Sequence, residues 1–149
     1  MGKPSHTIAR RLAGAPLAAA LALGTLVGCA GVEAGEAAMA PPGGDFQKVS
    51  DLVELPEFIP GLGTLYVDPA TLPAGPFLAY DRGGELVSTI YMVPLAELND
   101  QKKFADLAAP ADGGVESVDL YYNAGHPGVD QPHYHIVLWH VPEDQAELK

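Results

Sequence analysis

Four of the five histidines in this 149-residue chain, His126, His133, His135 and His140, fall within its last 24 residues. Alternate residues of a strand point the same way, so His133 and His135 share a face with Val137, Trp139 and Val141, while His140 points to the other with Tyr134, Ile136 and Leu138. Two imidazoles so spaced can converge on one ion, because neutral imidazole nitrogen is a good ligand for Zn, Cu, Fe or Ni. His126 lies in the loop Asn123-Ala124-Gly125-His126-Pro127-Gly128, where Gly125, Pro127 and Gly128 suit a turn that would present it as a third ligand. Three nitrogens leave one position for water, a carboxylate or a substrate, and Asp130, Asp119 and Glu116 are the nearest acids in sequence. The same pattern also fits histidines that only pack at the edge of a core. Both readings stand at this point.

Other chemistries find less support. One cysteine excludes both a disulfide framework within the chain and a zinc site built of cysteines. Ser88 and Thr89 lack a Gly-x-Ser-x-Gly setting, no Gly-x-x-x-x-Gly-Lys phosphate loop is present, and no catalytic residue is assigned. A His-x-His strand also occurs in cupin barrels, but the chain ends too soon after His135 for the rest of that motif. Tyr121, Tyr122, Tyr134 and Trp139 flank the histidines and read as packing. With 8 basic against 19 acidic residues and a net charge of -11, binding to nucleic acid through a basic face is excluded.

The elements that must hold the histidines read as α+β: a mainly antiparallel sheet with one helix. Residues 63–67 form a short β-prone run closed by Asp68-Pro69. Residues 77–80 and 85–93 flank Asp81-Arg82-Gly83-Gly84, the pattern of a hairpin. Both faces of the second run are apolar, so it is expected to be central. Leu95, Leu98, Phe104 and Leu107 share a helical stripe, which predicts a helix over 95–107 between Pro94 and Pro110. Residues 115–122 and 132–141 are expected to pair as strands across the loop 123–131.

The N-terminus reads as an address. Lys3, Arg10 and Arg11 precede an apolar run over 12–28, the order of a secretory signal. Leu26-Val27-Gly28-Cys29 resembles a lipoprotein lipobox, which makes Cys29 the lipidation site. The expected organisation is a signal peptide over 1–28, a lipidated cysteine and flexible Gly/Ala/Glu/Pro tether over 29–45, and a domain over 46–149. Cleavage before Cys29 leaves 5 basic and 19 acidic residues, a net of -14, so the membrane would be met through acyl chains and not through charge. This places the domain outside the cytoplasm in a bacterial envelope, and Ala30 after the cysteine leans towards the outer membrane or cell surface.

Gly125-His126-Pro127-Gly128-Val129, then Pro132-His133-Tyr134 and an aromatic-rich last strand, resembles the C-terminal signature of the TTHB-type domain, a bacterial domain of unknown function known from a Thermus protein under extracytoplasmic sigma-factor control. The likeness spans about residues 55–142, its specific part being 119–141. The family pattern is Pro-His-aromatic-Asp-aromatic-His, and here His135 stands for the Asp and Val137 for the second His. The resemblance implies roles for His126 and His133, with His135 replacing the missing ligand on the same face. It also implies a homo-oligomer and small-molecule or metal handling, without a reaction. The expected function is thus binding of a small ligand or transition metal by His126, His133 and His135 in a lipid-anchored domain. The alternative is a structural or assembly module of the envelope without metal, and a metal-dependent hydrolase or oxygenase is a third reading.

Overall fold

The computed structural model of the protein describes residues 37–109 and 114–149. These form one six-stranded antiparallel sheet: β1 (Gln47–Lys48), β2 (Thr64–Val67), β3 (Phe77–Tyr80), β4 (Leu86–Pro94), β5 (Ser117–Asn123) and β6 (His133–Trp139). Across the sheet the order is β1-β2-β3-β4-β6-β5. Two short helices accompany it, α1 (Val49–Leu52) and α2 (Leu95–Asn99), with a single 3-10 turn at Pro69–Thr71. The stretch read as a signal peptide over 1–28, Cys29 and the first part of the expected tether lie outside the described residues. Packing begins at Ala37, ahead of the boundary drawn at residue 46: its carbonyl accepts the Tyr80 hydroxyl at 2.7 Å, and Ala40 N–H donates to Gly84 O.

An α+β fold with one helix is therefore corrected to a six-stranded sheet with two short helices. The helix expected over 95–107 stops at Asn99. Its end is closed by backbone bonds from Gln101 N–H to Leu98 O and Lys102 N–H to Glu97 O, with Gln101 at φ 59. This is a Schellman closure with glutamine where glycine is usual. The apolar stripe gave no reason to continue, since Leu98 and Leu107 are exposed.

The hairpin of β3 and β4 forms about Asp81-Arg82-Gly83-Gly84, where Asp81 Oδ1 accepts Glu85 N–H at 2.9 Å and Gly84 takes φ +82. Ala79 pairs with Ser88 and Tyr80 with Leu86, so Val87 is the extra residue of a β-bulge. After α2 the chain passes to the far edge, lays down β5, and returns as β6 between β5 and β4. β6 thus has a partner on each side along its whole length. Its alternation is clear: His133, His135, Val137 and Trp139 are buried, while Tyr134, Ile136 and Leu138 are half-buried.

The buried face carries the main core, with Val67, Phe77, Ala79, Ile90, Met92, Val137 and Trp139 packed beneath Val49 of α1, Val129 of the 123–131 loop and Leu148 near the C-terminus. Ala37, Tyr66, Leu78 and Tyr80 form a second cluster. The histidine face is part of the larger core, so β6 holds its imidazoles on a backbone bonded from both sides.

Candidate metal centre

His126 is placed by a turn that its sequence dictates. His126 N–H donates to Val129 O at 3.0 Å and Val129 N–H returns to His126 O at 2.9 Å. Pro127 and Gly128 fill the two middle positions, and Gly128 has φ +88, the pattern of a type II turn. Val129, buried in the core, anchors the turn. Asn123 Oδ1 accepts Gly125 N–H at 2.9 Å at the loop's entry. Gly125, at φ +132, lies so close to Asp130 that a Cβ would meet its carbonyl oxygen at 2.7 Å.

These constraints bring His126 over β6, its ring centroid 4.9 Å from that of His133 and 5.5 Å from that of His135. One nitrogen from each of the three rings lies within 4.8 Å of the others. His133 Nε2 and His135 Nε2 are 2.8 Å apart, a hydrogen bond between the two imidazoles. Each Nδ1 meets an oxygen: His133 Nδ1 is 2.7 Å from Gln131 O, His126 Nδ1 3.0 Å from Pro127 O, and His135 Nδ1 3.0 Å from Tyr121 Oη. A carbonyl can only accept, so His133 and His126 donate from Nδ1, which leaves the Nε2 of a neutral His133 ring to accept. His135 then donates from Nε2 to His133, and Tyr121 donates its hydroxyl to His135 Nδ1.

Burial, followed by the neighbouring His133 and His126, lowers the His135 pKa from 6.5 to about 4. The ring is therefore neutral at ordinary pH, as a metal ligand must be. Burial, with a further contribution from Asp119, raises the Tyr121 pKa, so the phenol keeps its proton. The carbonyl partners fix the tautomers of His133 and His126, and the Tyr121 hydroxyl holds the ring direction of His135, the usual support of metal-binding histidines. A tetrahedral ion at about 2.0–2.1 Å from each nitrogen needs roughly 3.3 Å between ligands. The His133–His135 pair would open slightly from 2.8 Å, and the widest separation would close from 4.8 Å.

His140 is apart from this group, with Nε2 2.8 Å from Thr89 Oγ1 and Nδ1 2.9 Å from Gly114 O. None of the nearby acids joins the cluster. Asp119 accepts the indole N–H of Trp139 at 2.8 Å, and Asp130 and Glu116 are exposed. Tyr121, read from sequence as packing, is instead the hydrogen-bond partner of His135. The available signal was register: pairing β5 with β6 sets Tyr121 opposite His135. A partly open cavity of about 270 Å³ adjoins the cluster, with Tyr121, His126 and His135 in its wall. Its apolar lining comes from separate parts of the chain, so no local sequence pattern marks it.

No protein-family profile matches the chain and no curated protein does. Among solved structures it is similar to the crystal structure of the hypothetical protein TTHB210 from Thermus thermophilus, with 51% identity and a TM-score of 0.57 over 62% of this chain and 90% of that one. At that identity, over nine-tenths of the other chain, the protein belongs to the TTHB-type family of uncharacterised domains that includes TTHB210.

Proposed function

We propose that the protein binds a divalent transition metal through His126, His133 and His135, in a domain tethered by lipid on Cys29 to the outer face of a bacterial envelope membrane. The observation that carries the metal reading is the meeting of three ring nitrogens within 4.8 Å, with the Nδ1 of each ring also within hydrogen-bond distance of an oxygen. Packing alone would not require a turn histidine to close over a pair already bonded to each other. Imidazole ligands suit Zn, Cu, Fe or Ni. The envelope location rests on the basic start, the apolar run and the position of Cys29. No reaction is assigned.

The test is metal content of protein purified without a His-tag, after dialysis against a divalent-metal mixture, beside a His133→Ala/His135→Ala variant. About one equivalent in the native protein and little in the variant is expected. Equal content in both would remove the reading.

The exposed side of β5 favours a second, compatible role in assembly with further copies of the chain. Val118, Leu120 and Tyr122 are 55%, 64% and 52% exposed on an edge strand, and such a strand is a template for pairing. An oligomer by light scattering that Leu120→Asp dissociates, with metal content unchanged, is the expected outcome. A monomer at all concentrations would exclude it.

A further inference from the structure

We infer that the cavity beside the histidines binds a small amphiphile, an apolar body of up to roughly ten carbons ending in a carboxylate that takes the metal's open position. This rests on the metal reading above. Leu55, Leu65, Phe77, Ile90 and Met92 are among its walls, and no Lys, Arg, Asp or Glu among the described residues lines it. Its polar side chains are Tyr121, Asn123, His126 and His135. Three of these are in mutual contact through His135, and Asn123 is two residues from Tyr121 on the same face of β5. The space is thus hydrocarbon with one polar end, the shape of an amphiphile's own chemistry.

Size limits the body. A cavity of about 150 Å³ holds benzene, so about 270 Å³ takes roughly ten carbons by proportion.

Charge identifies the head. A divalent ion held by three neutral imidazoles keeps its full double charge, and no acid of the chain joins the cluster among the described residues. Beside an apolar wall that charge is costly unless an anion completes the site. Among the described residues the cavity offers no lysine or arginine, so the metal would supply the positive charge that a carboxylate meets there. Moving one methylene from water into an apolar site is worth about fourfold in affinity. The six methylenes that separate octanoate from acetate therefore set a ceiling of roughly 4,000-fold, of which ordering the chain removes part.

The experiment loads the untagged full chain with Co(II) and titrates acetate, butyrate, hexanoate and octanoate, following the visible bands of the cobalt. Affinity should climb with each pair of carbons, octanoate binding more than 100-fold tighter than acetate, and each acid should change the bands. Leu65→Trp, which narrows the cavity, should keep the cobalt spectrum and lose the preference for octanoate. The series on the native protein decides the matter even if that variant does not fold. A flat series on an intact cobalt spectrum overturns the pocket and leaves the metal site standing. Failure to take up cobalt overturns the metal reading itself, and octanoate that binds without altering the bands overturns the placement of its head on the metal.

Discussion

Replacing Gly128 by alanine tests whether the turn after His126 is what aims that ring. Gly128 has φ +88, and an added Cβ would stand 3.1 Å from Val53 Cγ1. The left-handed backbone costs an alanine about 1–2 kcal/mol, and Val53 must also give way. The metal-free domain can release this strain by letting the turn open, which swings His126 off the pair on β6. Metal binding must then restore the strained turn, so affinity falls by up to the same 1–2 kcal/mol, about 5–30-fold. Gly61→Ala is the control: its φ is +82 with nothing within 4 Å, and its neighbours hold no histidine. Urea unfolding in chelator should show a loss of up to about 1–2 kcal/mol for each variant, while competition against a chromophoric chelator should show weakened metal binding for Gly128→Ala alone. Equal metal affinity in the two variants would refute the idea that the turn positions His126.

Tyr121→Phe removes the hydroxyl beside His135 Nδ1 and should weaken metal binding about 10–100-fold with the fold intact; unchanged affinity in the same competition assay would count against the hydrogen bond as a support. Metal-free protein should lose stability as pH falls. The His135 pKa is about 4 when folded against 6.5 ordinarily, so its contribution is full above 6.5 and declines from there through 4, by at most about 3 kcal/mol and by about 1–2 after solvent screening; an NMR midpoint for His135 near 6.5 would contradict this. His140→Ala should leave metal content unchanged but cost about 1–3 kcal/mol in urea unfolding, because buried Thr89 loses its hydrogen-bond partner; lost metal would place His140 in the site.

What could be read from the sequence was whatever depends on near neighbours. His133 and His135 share a face by strand parity, and His126 sits in a turn because Pro127 and Gly128 occupy positions that demand it. The hairpin about 81–84 is legible for the same reason. The helix over 95–107 failed because a stripe of apolar residues says nothing about whether a surface exists to bury it. Leu98 and Leu107 remain exposed, and Gln101 turned left-handed to end the helix at its first opportunity. The role of Tyr121 and the cavity depend on which strands lie side by side. Only the return of β6 between β4 and β5 puts Tyr121 across from His135 and opens a space bounded by segments from residue 49 to residue 135.

That return also decides how firmly each part of the centre is held. His133 and His135 stand on a strand bonded to neighbours on both sides, whereas His126 is held by a four-residue turn. The pair on β6 is half a site, with its two Nε2 atoms sharing a proton at 2.8 Å. A metal bound at the site would take that proton's place. His133 already offers a bare Nε2, because the Gln131 carbonyl accepts from its Nδ1, so the change falls on His135. With a metal held there its proton would pass from Nε2 to Nδ1, and Tyr121 would reverse from donor to acceptor, as a hydroxyl can. A carbonyl in Tyr121's place would have fixed His135 in the tautomer that binds metal, but would have left the empty site with two opposed lone pairs and no hydrogen bond between its rings. The phenol lets the same two rings be satisfied in both states, while His126, on the one element that can adjust, closes the remaining distance.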